Sequence, residues 1–163
     1  MMIKKIVQGA LIGALYAALT LVAAPISFGL MQVRISEALC ILPFFTPAAV
    51  PGLFVGCVVA NLLGGAALYD VVFGSLATLL AAVFTRWLKN RGASKWLAPL
   101  PAVVFNALIV GALMHLVYFP PEEVSYLAGV AYVGVGQAIA CYILGMPLFR
   151  VLERYEEKLF RLR

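Results

Sequence analysis

The few charges of this chain are confined to narrow positions, and that spacing restricts every fold the chain can adopt. No Asp, Glu, Lys or Arg occurs between Lys5 and Arg34, Glu37 and Asp70, Asp70 and Arg86, Lys95 and Glu122, or Glu123 and Arg150. A bilayer core takes about 20 mostly apolar residues per helix, so these stretches read as membrane spans. Composition agrees: 64% of the residues are apolar and 12% are charged, where a soluble domain carries roughly 25% charged residues. The expected fold is an all-α integral membrane protein forming a single transmembrane domain over residues 1–163.

The number of spans turns on the interval from Ala38 to Tyr69, which is too long for one crossing. Pro43, Pro47 and Pro51 lie in its middle, and proline inside a helix costs a backbone hydrogen bond, so a turn belongs there. Six helices follow, roughly 5–25, 36–46, 49–65, 69–88, 96–118 and 124–150, with a charged extension over 151–163. An even number places both termini on one side. Lys4, Lys5, Arg86, Lys89, Arg91, Lys95 and the basic residues from Arg150 onward then share that side, and Arg34 alone of the twelve lies opposite. Basic residues in short loops orient spans with that side in the cytoplasm, which predicts an N-in, C-in topology. A cleaved signal peptide ending near Val22-Ala23-Ala24 is the competing reading of the first span. The alternating charges from Glu153 to Arg163 continue the last helix into the cytoplasm or form a frayed tail. Continuation would set Glu153 beside Glu157 and Arg154 beside Lys158.

Catalytic chemistry finds no support. A helical zinc-protease motif needs two histidines, and this chain has one, His115. Ser75 lacks the second glycine of a nucleophile elbow. No Gly-Lys-Ser/Thr occurs, so the chain holds no P-loop to energise transport. Cys40, Cys57 and Cys141 lie in apolar helices, where cysteine acts as a small hydrophobe, and no metal or redox site is expected. The net charge of +5 is accounted for by loop residues that orient the spans, which argues against nucleic acid. Neither an enzyme nor a cofactor is expected, and binding is the function class that remains.

Polar residues inside spans are costly unless they face protein or water, so they mark the candidate ligand path. Arg34 and Glu37 open the second helix, Asn61 lies one turn below the outer end of the third, and Asp70 opens the fourth. Asn106 and Gln137 lie deeper, about 18–20 Å below the outer ends of their helices at 1.5 Å per residue. Together they outline a pocket open to the outside. Competing readings stand beside each residue. Arg34 and Glu37 pair with one another, Asn61, Asn106 and Gln137 are interhelical hydrogen-bond glue, Asp70 is an N-cap, and His115 packs at the interface. Tyr69, Tyr118, Tyr126 and Tyr132 suit an outer aromatic belt, with Tyr132 deep enough to stack on a bound ring. On the first helix, Gly9, Gly13 and Ala17 form one line of small residues and Ala10, Ala14 and Ala18 the next. Such a face admits a second helix closely, from a partner or from the bundle's own interior.

Several segments carry a family resemblance: Gln32-Val-Arg-Ile-Ser-Glu-Ala-Leu, Leu42-Pro-Phe-Phe-Thr-Pro followed by Pro51-Gly-Leu-Phe-Val-Gly-Cys, Asp70-Val-Val-Phe-Gly-Ser-Leu-Ala-Thr, Trp96-Leu-Ala-Pro-Leu-Pro and Tyr132-Val-Gly-Val-Gly-Gln. With these the chain resembles the QueT family, substrate-binding S components of energy-coupling-factor (ECF) transporters assigned to queuosine precursors, over residues 5 to 150. The resemblance implies capture of a 7-deazaguanine, such as preQ0, preQ1 or queuine, from outside. It also implies docking of the first helix on a transmembrane T component, and ATP hydrolysis by two partner ATPase subunits. A 7-deazaguanine presents two adjacent donors, which Glu37 or Asp70 would accept, while the Asn106 and Gln137 amides meet the ring and Tyr132 or Phe105 covers a face. A cationic aminomethyl substituent would favour the other carboxylate. Two alternatives share these residues: an S component for another vitamin, and a membrane scaffold that binds nothing small. The connection from Ala24 to Ile35 is either a lid or a passive connector.

Overall fold

The structure, a computed structural model, describes residues 2–27, 33–119 and 124–160, without the side chains of residues 157 and 158. Among the described residues there are helices and turns and no strand. Four helical runs are long and apolar enough to cross a membrane: α1 (Met2–Val22), α4 (Asp70–Asn90), α5 (Lys95–Tyr118) and α6 (Tyr126–Glu156). Two shorter apolar helices, α2 (Ile35–Phe44) and α3 (Ala49–Leu63), complete the bundle. The helix ends agree with the sequence expectation to within a few residues, and α6 passes the expected stop at 150, its helical path continuing to Leu159.

Contacts at the two ends show that successive helices run in opposite directions. At one end, Thr46 donates to Gln8 at 2.8 Å, Gln8 reaches the Leu159 carbonyl, and Arg86 reaches the Pro43 carbonyl. Lys89 sits 4.7 Å from the centre of the Phe44 ring, and Lys95 pairs with Glu153 at 2.9 Å. At the other end, Thr20 meets Ser36 at 2.6 Å, Tyr118 meets Asp70, and His115 Nδ1 meets the Val124 carbonyl at 2.8 Å. The first group includes the basic residues Arg86, Lys89 and Lys95; the second includes Asp70 and lies at the end of α2 that Arg34 precedes.

α2 lies at the centre, with every residue from Ser36 to Phe44 buried. Ser36 and Glu37 have to be kept from lipid, and they find their partners Thr20 and Tyr16 on α1, which holds this helix inside the bundle. It is wound as a 3₁₀ helix, and at about 2.0 Å rise per residue its ten residues reach about 20 Å, where an α-helix would reach about 15 Å. Pro43 sits in its last turn, and Pro51 in the first turn of α3, where a missing N–H costs little. The expected proline turn therefore falls between Phe44 and Ala49.

Two glycine seams set the helix spacing. A Cβ on Gly13 would lie 2.8 Å from the Gly52 carbonyl oxygen, and one on Gly56 would lie 2.6 Å from that of Gly13. α5 and α6 meet in the same way, since a Cβ on Gly129 would lie 2.5 Å from the Gly111 oxygen. Where lipid is as apolar as leucine, backbone contact of this kind, with interhelical hydrogen bonds, is what holds helices together. Glycine also ends α3 and α4. Gly65 and Gly92 take φ of +69° and +70°, while Ala66 N–H bonds back to Asn61 O and Ala93 N–H to Leu88 O, the Schellman arrangement that closes orphan carbonyls. Large apolar side chains such as Leu11, Leu62, Leu116 and Ile143 point outward, which suits a bundle surrounded by lipid.

Candidate functional site

Six of the seven residues expected to form a ligand path are buried: Arg34, Glu37, Asn61, Asp70, Asn106 and Gln137 are each 4% exposed or less. Tyr132 departs from the expectation. It is 43% exposed on the outer surface of α6, because the buried face of that helix is taken by Gly129, Val133, Gly136 and Gln137. The arrangement also differs from an open pocket. The six residues are closed off between the helices, each with almost no surface open to solvent, and the apolar surface groove between α1 and α3 lies elsewhere.

Glu37, on α2, has both carboxylate oxygens occupied. Tyr16 Oη donates to Oε1 at 2.5 Å, and Cys40 Sγ donates to Oε2 at 2.6 Å. Cys141 Sγ reaches the Glu37 backbone oxygen at 3.6 Å. A fully buried carboxylate needs such donors, since burying the group unpaired costs several kcal/mol. Arg34 does not form the expected ion pair with Glu37. Its Nε donates to the Ser27 carbonyl at 3.4 Å and its Nη1 to Cys57 Sγ at 3.8 Å, while its charge acts on both Glu37 and Asp70.

Asp70 is no helix cap. Its Oδ2 accepts from Tyr118 Oη at 2.5 Å, and its backbone oxygen accepts from Asn61 Nδ2 at 3.0 Å. Asn61 Oδ1, Asp70 Oδ1 and Ser75 Oγ, all buried, have no hydrogen-bond partner among the described residues, and neither does Ser27 Oγ. An orphaned buried acceptor costs about 1–3 kcal/mol, so three at one corner of a packed bundle call for a physical explanation. By contrast Asn106 Nδ2 meets Gln137 Oε1 at 3.4 Å and the Ala102 carbonyl at 3.0 Å. That pair matches the interhelical glue reading.

Sequence reasoning missed the groups that complete this polar set. Tyr16 carries no signal of its own within an apolar span, Cys40 and Cys141 read as small hydrophobes, and Ser75 reads only as a candidate nucleophile. A backbone signal does mark the place. Asp70–Gly74, Met114–Tyr118 and Ile139–Leu144 are wound as π-helix, and single π turns are frequent at functional sites. They contribute Asp70, Tyr118 and Cys141 to the polar set. The Ala24 to Ile35 connection cannot be followed through residues 28–32, which lie outside the described set, as does Gln32 of the motif that opens α2. The proposed pairings of Glu157 and Lys158 also fall outside it.

The small-residue face of α1 divides in two. Gly9, Gly13 and Ala17 are buried against α3, the internal packing that is one of their two expected roles, and they also line the floor of the groove between α1 and α3. Ala10, Ala14 and Ala18 remain exposed. Ala10 and Ala14 line the same apolar groove, of about 760 Å³, with Val55 and Val59 of α3.

An all-helical bundle with four span-length apolar helices and buried polar residues between them defines a multi-pass membrane protein. The chain belongs to the QueT transporter family, whose family model matches residues 6–154, all six helices included. No curated protein and no solved structure matches it significantly.

Proposed function

We propose that this chain is the substrate-binding S component of an ECF transporter, capturing a queuosine precursor of the 7-deazaguanine class outside the cell for ATP-driven uptake. The observation that carries the reading is the unpartnered acceptor set of Asn61, Asp70 and Ser75, buried at the polar end of a bundle in a transporter family. The helices cross six times as one domain, N-in and C-in. Alternating helix direction and the eleven basic residues on one side support that topology. Because the polar set is closed off, a ligand reaches it when the helix ends around Asp70 and Tyr118 part, breaking their hydrogen bond. The α1 to α3 groove, with Ala10 and Ala14 at its wall, is the surface for the T component, and two ATPase subunits supply the energy. No step calls for a cofactor or metal on this chain.

The test is binding by the purified protein of a panel of deazaguanines, guanine, adenine, riboflavin and thiamine, followed by uptake in vesicles with and without an ECF module. Saturable deazaguanine binding with module-dependent uptake is the expected result. Binding only another vitamin would replace the substrate. The Asn106–Gln137 pair favours a second reading in one respect, that of a membrane scaffold. Absence of any binding by folded protein would put that reading first.

A further inference from the structure

Two buried carboxylates feel the charge of the same arginine, and the structure uses them differently. Glu37 is saturated by Tyr16 and Cys40, donors supplied by the protein itself. Asp70 has one oxygen on Tyr118 and the other on nothing described. Two further orphans, the Asn61 amide oxygen and the Ser75 hydroxyl oxygen, can also accept a hydrogen bond. Asn61 holds its amide nitrogen on the Asp70 backbone and leaves its oxygen over. Ser75 follows Asp70 by five residues across a π turn, the spacing that places one residue a turn above the other. Gly74 adjoins them, with room for a Cβ 3.6 Å from the Asn61 nitrogen.

The charges at this end point the same way. Among the described buried residues Arg34 is the one cation, set against the two carboxyl side chains of Glu37 and Asp70. A ligand group that suits this corner brings N–H donors, offers no acceptor and carries positive charge. A primary ammonium meets all three conditions: it has three donors and no lone pair, and its bond to a carboxylate is charge-assisted. The two-donor edge of a deazaguanine ring would meet two of the acceptors but leave the charge and the third acceptor unmet.

We propose that Asp70 Oδ1, Asn61 Oδ1 and Ser75 Oγ form the subsite for a primary ammonium group of the ligand, so that the protein prefers an aminomethyl-bearing substrate to its neutral counterpart, and that Glu37 is a structural carboxylate. This rests on the transport reading above and deepens it by naming the ligand's charged group and the carboxylate that receives it.

The experiment compares 7-aminomethyl-7-deazaguanine with 7-cyano-7-deazaguanine by calorimetry on the full chain in nanodiscs. The two share a ring and differ in the charged nitrogen. The parent protein is expected to prefer the amine by roughly ten- to hundredfold. Asp70→Asn removes the charge at nearly constant size and should abolish that preference while retaining affinity for the nitrile. Ser75→Ala deletes a hydroxyl that bonds nothing in the described structure, so it should fold as the parent does and weaken the amine alone. It therefore tests the subsite even if Asp70→Asn does not fold. Equal loss of both ligands in Asp70→Asn would mean that Asp70 reads the ring edge, and would overturn the proposal while leaving the transport reading standing. Equal affinity of the parent for both ligands, or loss of the preference in Glu37→Gln with Asp70→Asn unchanged, would also overturn it. If the folded parent binds neither ligand, the transport reading and this subsite fall together.

Discussion

Gly56→Ala gives the sharpest test of the packing argument, because the new methyl would meet two backbone atoms of Gly13 and the Cβ of Tyr16. Its Cβ would lie 2.6 Å from the Gly13 oxygen, 2.9 Å from Gly13 Cα and 3.0 Å from Tyr16 Cβ. Ordinary contact begins near 3.4 Å, so α1 must withdraw from α3 by roughly 0.8 Å. Neither contacting group on Gly13 can rotate aside. Overpacking of this kind costs about 1–3 kcal/mol, and the better helix propensity of alanine returns about 0.5–1 kcal/mol. The net loss is about 0–2.5 kcal/mol, which at about 2–4 °C per kcal/mol lowers the unfolding midpoint by up to about 10 °C. The control is the same substitution at Gly134, where the new Cβ meets only the Ala107 methyl at 3.4 Å. There propensity acts without a clash, and the midpoint should stay level or rise. Thermal unfolding of both variants in one detergent, followed by tryptophan fluorescence and by aggregation, reads the difference. If Gly56→Ala unfolds above the parent temperature, or the two variants shift alike, the seam is not the tight contact described.

Three further outcomes follow from the same structure. Tyr16→Phe withdraws the donor from Glu37 Oε1 and should cost about 1.5–3 kcal/mol, the range for a bond to a charged group, seen as a lower unfolding midpoint with ligand affinity retained. Glu153→Gln breaks the Lys95 pair, but both side chains are more than two-fifths exposed, so the change in stability measured by the same melt should stay below about 1 kcal/mol. Ala14→Leu fills the α1 to α3 groove from its exposed wall and should leave folding and ligand binding unchanged while abolishing uptake in vesicles that contain the ECF module.

Charge spacing in the sequence carried the class of protein, because a bilayer core excludes unpaired charge whatever the tertiary contacts. It also carried the helix ends, since prolines and glycines act on the backbone locally. Arg34, Glu37, Asn61, Asp70, Asn106 and Gln137 were legible as buried polar residues for the same reason: each is too costly to leave in lipid. Their partners were not legible. Whether Glu37 pairs with Arg34 or with Tyr16 depends on how α1 lies against α2, and twenty-one residues separate Tyr16 from Glu37. The exposure of Tyr132, the split of the α1 small-residue face, the 3₁₀ winding of α2 and the orphaned oxygens beside Asp70 likewise depend on helix rotation. Rotation is fixed by contacts between segments distant in the chain. A periodic apolar stretch permits several rotations of nearly equal cost, and here the glycine seams and the buried polar bonds select one.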